Sequence, residues 1–157
     1  MTELPTPYQF QLRAELSARY HQQRRRVLLR RARLSQYLSL ALSMGMVAAV
    51  LQQAPLPLQL GLPFAVGLLT LADTVFGFTA QAYLHEALYR RYQALQARGH
   101  QVDSLPADLW RELLEIEADE PPVLRAAVDL CDNELLIAHG HAPAHQIAWP
   151  WRWVTAL

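Results

Sequence analysis

Between Arg33 and Asp73 the chain carries no formal charge, and residues 34–72 are rich in Leu, Ala, Val and Met. A bilayer core of roughly 30 Å takes about 20 apolar helical residues, so this run is two spans long rather than one. Near its middle, the stretch QQAPLPLQLGLP (residues 52–63) sets Pro55, Pro57, Gly61 and Pro63 against helical continuation. Gln52, Gln53 and Gln59 in the same stretch suit headgroup depth. The pattern predicts a hairpin with spans at residues 36–51 and 60–81. The expected fold is an all-α membrane protein: a two-helix transmembrane hairpin (34–81) with long cytoplasmic helical extensions and a C-terminal helical pair.

Charge supplies the orientation. Residues 1–100 hold eleven Arg against Glu3, Glu15, Asp73 and Glu86, a net +7, while residues 101–157 hold three Arg against ten acids, a net −7. The balance argues for pairing between the two halves or for contact with anionic lipid, and the Arg excess lies beside the spans, which argues against nucleic acid. Arg24, Arg25, Arg26, Arg30, Arg31 and Arg33 precede the first span, and Arg90 and Arg91 follow the second. The turn between the spans has no basic residue, so both termini are expected on the cytoplasmic side of a bacterial inner membrane. A single cysteine, Cys131, excludes an intrachain disulfide framework. No cleavable signal peptide is expected, since the first apolar run begins after a long polar segment.

From Tyr8 a helical pattern begins in the Arg-rich segment 1–33, with Leu12, Leu16, Tyr20, Val27 and Leu34 on one arc. The first span carries Ser35, Ser39 and Ser43 at four-residue spacing, and Ala41, Gly45 and Ala49 form a second such row; small residues of this kind let membrane helices approach closely. In the second span Asp73 is flanked by Thr70, Gly77 and Gln81 on one polar stripe. A carboxylate at mid-bilayer costs about 2.5–3.5 kcal/mol on insertion scales, so it needs a partner, a bundle interior or a water-filled path. Asp73 is therefore protonated, bonded to hydroxyls of the first span, or set on an oligomeric lumen.

Beyond the hairpin, Leu84, Leu88, Tyr92 and Leu95 continue a helical face through residues 82–100, which is expected to pack on Leu12, Leu16 and Tyr20. Tyr83, Tyr89 and Tyr92 suit a membrane-interface belt. An acidic helical pair follows in 101–140. Ser104 caps the first helix, with Pro106 in its opening turn and Leu105, Leu109, Leu113 and Ile116 on its apolar face. The second opens around Asp119-Glu120-Pro121-Pro122, buries Leu124, Ala127, Val128, Cys131, Leu135 and Ala138, and stops at Gly140. Cys131 on that stripe reads as a buried, inert thiol. The tail 141–157 brings His141 and His145 close to His139, without a scaffold that fixes them for a metal. Trp149, Trp151, Arg152 and Trp153 in the same tail suit either the membrane interface or a protein partner. No phosphate-binding loop, nucleophile elbow or zinc-protease motif is present, so no enzyme chemistry and no cofactor are expected.

The layout of an Arg-rich helix, two spans, a cytoplasmic helix and the segment EIEADEPPVLRAAVDLCDNELLIAHG (115–140) resembles the SLATT family. These are two-transmembrane effectors associated with SMODS nucleotidyltransferases and SLOG domains in bacterial conflict systems. The resemblance implies a pore-forming or membrane-perturbing, homo-oligomeric effector of anti-phage abortive infection. Its trigger would be a separately encoded sensor or signal-producing enzyme, or a nucleotide. A membrane-anchored adaptor that recruits a soluble enzyme through the acidic helices, and a holin-like lysis protein, are the alternative readings. A soluble helical bundle fits less well, because both spans are apolar nearly all round.

Overall fold

The computed structural model describes residues 6–101 and 105–149: helices with their connections and an irregular run at 141–148. The helices are α1 (Pro7–Leu51), α2 (Leu56–Phe76), α3 (Phe78–Gly99), α4 (Ala107–Ala118) and α5 (Arg125–Ala138). The chain divides into two compact units, Leu28–Ala82 and the remainder, Met1–Val27 with Tyr83–Leu157. Ser104, Trp151, Arg152 and Trp153 lie outside the described residues.

In the Leu28–Ala82 unit the turn is shorter than the sequence pattern suggests. Only residues 52–55 leave the helix, and Gln53 takes a left-handed conformation there (φ 51°). Pro55 is the N-cap of α2 and Pro57 lies in its first turn, where a missing N–H costs no intrahelical bond. Gln59 and Gly61 thus belong to the helix, and so does Pro63, which stands inside α2. The second apolar helix begins at Leu56 rather than residue 60. It also does not run unbroken to residue 81. Gly77 adopts the left-handed conformation (φ 56°, ψ 40°) and ends α2, its N–H donating to the Asp73 carbonyl. Glycine meets no Cβ penalty in that geometry, so a polar-stripe position of the sequence is a backbone joint in the fold.

Pro7–Leu51 and Leu56–Gly99 are two helical stretches long and apolar enough to cross a membrane. Their most apolar windows are 6 % and 0 % buried within the chain, so the apolar surface finds no cover there. Leu40, Met44, Leu51, Phe64 and Val75 are all exposed.

The other unit has a packed core. Phe10, Ala14 and Ala18 of α1 meet Leu88, Tyr92 and Leu95 of α3 and Leu109, Leu113 and Ile116 of α4. The α1 face against α3 is therefore not the predicted Leu12–Leu16–Tyr20 arc. Tyr20 packs instead with Ala127 and Cys131 of α5, with Leu16, Leu124 and Val128 beside them. This part of α1 is covered from two sides, so its buried arc is wider than a single apolar stripe, and alanines fill the tight side. Close approach recurs at Gly99, where a Cβ would lie 2.6 Å from Phe10 Cε1. Leu84 is exposed, and Tyr92 is fully buried rather than set in an interface belt. Leu109, Leu113, Ile116, Ala127, Cys131 and Leu135 are buried as their spacing predicts, whereas Ala138 is exposed.

The helix boundaries in 101–140 also shift. Pro106 is the N-cap of α4 rather than a first-turn residue. Helix α5 starts at Arg125, after an irregular Pro121–Leu124 connection. Asp119 is the C-cap of α4 and Glu120 follows it, so neither stands at the N-terminus of α5. Gly140 (φ 79°) closes α5 as expected: its N–H donates to the Ile137 carbonyl and that of His141 to the Leu136 carbonyl. This paired bonding is a Schellman stop.

Candidate functional sites

The polar stripe of the second apolar helix is not one connected network. Thr70 Oγ1 donates to the Val66 carbonyl and Thr74 Oγ1 to the Thr70 carbonyl, each satisfied within its own helix. Gln81 Nε2 turns back to the Phe76 carbonyl at the end of α2. Because Gly77 is left-handed, the four-residue register is not continuous from Asp73 to Gln81. Asp73 is half-buried, and its Oδ1 is fully enclosed with no hydrogen-bond partner among the described residues. A buried, unbonded carboxyl oxygen is costly, and in an apolar surrounding the cost rises.

On the facing helix, Ser43 Oγ donates to the Ser39 carbonyl, so that hydroxyl serves its own backbone. Ser35, Ser39, Ser43 and Gly45 are half-buried, Ala49 is buried and Ala41 is exposed. A Cβ at Gly45 would sit 3.9 Å from Leu62 Cδ1, ordinary contact distance, so Gly45 lies towards α2. The small-residue row is thus used in part, at its Gly45–Ala49 end.

The basic residues divide by role. Arg25 Nε lies 3.2 Å from Glu86 Oε2, and Arg90 holds the other oxygen of the same carboxylate at 2.6 Å. Arg91 pairs with Asp119 at 2.8 Å. Arg24 and Arg31 are half-buried, while Arg26, Arg30 and Arg33 are exposed. Arg13 holds Glu117 through two nitrogens (2.6 and 2.7 Å) and lies over the Trp110 ring, and Arg98 pairs with Glu112. Basic residues of α1 and α3 therefore meet acids of 112–120, the self-pairing that the charge split allows.

One constellation has no counterpart in the sequence reading. His21 of α1 and His85 of α3 are buried, and their Nδ1 atoms stand 2.8 Å apart. His21 Nε2 lies 2.9 Å from Glu120 Oε1, which also accepts from the Tyr92 hydroxyl. Tyr20 stands edge-on to both imidazoles, and its hydroxyl accepts from the Leu124 N–H. The network joins α1, α3 and the connection before α5. Burial, then the neighbouring His21 and Arg24, push the His85 imidazole down to about 4. Burial works to raise Glu120, but hydrogen bonds from His21 and Tyr92, with the imidazoles' positive potential, hold it below its ordinary value. Burial, then the Glu120 contact, raises Tyr92.

The proton positions follow from the contacts. A carboxylate only accepts, so His21 Nε2 carries a proton. With both rings neutral, His85 Nδ1–H donates to His21 Nδ1. No spacing signal marks this cluster, since residues 21, 85 and 120 are far apart along the chain; two histidines on otherwise apolar helical faces are the one hint.

Among the described residues, no group of three or more His, Cys, Asp and Glu side chains is arranged to hold a metal ion. Cys131 is buried, donates to Gln23 Oε1 at 2.8 Å, and is pushed up to about 12 by burial and then by Glu134. His145 Nε2 lies 2.8 Å from Asp132 Oδ2, His141 is exposed, and Trp149 is 71 % exposed. No known family, no curated protein and no solved structure matches this chain.

Proposed function

We propose that residues 28–82 enter a bilayer as a helical hairpin, and that copies of the hairpin associate there to permeabilise the membrane. What supports the reading is the enclosed, unbonded Asp73 carboxyl oxygen on a unit whose apolar windows are 6 % and 0 % buried. The apolar surface asks for lipid, and the carboxyl asks for a polar partner that a single hairpin does not offer. A second hairpin or a wetted lumen meets that need. The cytoplasmic face would hold the packed helical unit, with both termini inside. Its layout resembles that of SLATT effectors, and on that resemblance the biological setting is anti-phage abortive infection, triggered by a separate partner or a nucleotide. No catalytic step belongs to this reading.

The test is membrane potential in bacteria after induced expression, wild type against Asp73→Leu at equal membrane-fraction levels. Rapid depolarisation is expected from the wild type and at least a tenfold slower one from Asp73→Leu. Equal depolarisation by both would remove Asp73 from the mechanism. Absence of the wild-type chain from the membrane fraction would remove the hairpin itself.

A further inference from the structure

Asn133 sits two residues beyond Cys131 on α5, about 200° round the helix and away from the stripe that packs on α1. It is nevertheless 8 % exposed. What covers it is the chain's own tail. Asn133 Nδ2 donates to the His145 carbonyl at 2.7 Å, and the His145 N–H donates to Asn133 Oδ1 at 2.9 Å. A side-chain amide that pairs with both backbone groups of one residue imitates a strand partner, and such pairing reads an extended segment without regard to its sequence. Side chains add the selectivity. The His145 imidazole meets Asp132 Oδ2 at 2.8 Å. Two residues on, Ile147 stands between two pockets: one of about 310 Å³ shared with Leu130, Asn133 and Ile137, and one of about 350 Å³ shared with Leu124, Ala126 and Asp129.

The resident segment occupies this surface loosely. Residues 141–146 are exposed, and Ile147 is only half-buried. The charge beside the clamp is net negative, with Asp129, Asp132 and Glu134 against Arg125. His145 answers Asp132 with a full charge only when it is protonated, whereas an arginine would do so at every physiological pH and with two donors. The surface is therefore better matched to a segment other than the one that fills it.

We propose that this face of α5 is a docking site for an extended segment of a partner protein, of pattern Arg-x-apolar, for which residues 145–147 are the built-in substitute. The amide of Asn133 takes the backbone of the arginine, Asp132 takes its guanidinium, and the apolar side chain enters beside Leu130 and Leu124. Gly140 turns the chain back along α5, so the resident tail competes from a high effective concentration, in the millimolar range for short tethers. A partner segment binds when it exceeds that competition. This site is independent of whether the hairpin forms a pore.

The test uses the full chain in detergent micelles and a fluorescein-labelled peptide, APARQIAW, which is residues 142–149 with His145→Arg. Anisotropy titration is expected to give at least tenfold tighter binding to the His145→Ala/Ile147→Ser variant, whose tail is weakened, than to the wild type. Adding Asn133→Ala to that variant should abolish binding, while Asp132→Asn should weaken the Arg peptide several-fold and leave an Ala-for-Arg peptide unchanged. Circular dichroism identifies variants that have lost their helices, and Asp132→Asn, at a half-buried position, keeps the comparison available if Asn133→Ala does not fold. Equal binding by the wild type and the tail-weakened variant, or indifference to both Asn133→Ala and Asp132→Asn, would overturn the proposal. So would competition by unlabelled wild-type chain as strong as by free peptide, which would assign the site to the tail of a second copy.

Discussion

At the scale of single residues, the buried pair His21–His85 makes the fold sensitive to protons. The His85 imidazole titrates near 4 in the folded chain and near 6.5 once exposed, so between those values the unfolded chain binds the extra proton. Stability from this group is full above about pH 6.5 and is lost as pH falls towards 4, by up to about 3 kcal/mol. Glu120 acts in the same direction at lower pH, since its depressed value makes protonation unfold the network. Denaturant melts at pH 7 and pH 4.5 should reveal the loss, and His85→Gln should flatten the dependence; an unchanged slope in that variant would exclude His85 as its source. None of these contacts could be read from spacing, because each partner comes from a different element. Asp73 was the opposite case. A lone acid closing a run of 39 uncharged residues is conspicuous in the sequence, but whether its oxygens find partners depends on how the hairpin packs.

At the scale of elements, existence was more legible than boundaries. The apolar periodicity of α4 and α5 located Leu109, Leu113, Ile116, Cys131 and Leu135 correctly, because each of these helices buries one stripe. The N-terminal part of α1 buries two sides, so a one-stripe reading chose Leu12–Leu16–Tyr20 and passed over Phe10, Ala14 and Ala18. Proline does not break this helix: Pro57 and Pro63 are both accommodated inside α2. Gly77 is the joint between α2 and α3 and not merely a stripe residue. Its left-handed φ makes Gly77→Ala a test of the joint, with a cost of about 1 kcal/mol expected from the added Cβ. No other atom lies within 4 Å of that Cβ, so the cost is conformational alone. Thermal melts in micelles check it, and an unchanged midpoint would mean that the helix straightens without penalty.

For the whole molecule, a net charge of zero conceals an ordered separation that the fold uses. Arg13–Glu117, Arg91–Asp119, Arg98–Glu112 and His21–Glu120 all join the basic half to the acidic half. The three arginine pairs lie at the surface and contribute at most about 1 kcal/mol each, so their main effect is on which surfaces meet, whereas His21–Glu120 is enclosed. The apolar cores of Phe10–Leu113 and Tyr20–Cys131 then carry the stability. The second of these cores contains the chain's one thiol, and this has a practical corollary for spectroscopy. A sulfhydryl enclosed between α1 and α5 and held near 12 carries almost no thiolate at neutral pH, so maleimide should modify the native chain slowly and the denatured chain fully. Reporter groups can then be attached through new cysteines along the hairpin without first removing Cys131, while the rate at which Cys131 itself becomes reactive times the separation of α5 from α1. Prompt labelling of the native chain would show that this seam opens far more often than its packing implies.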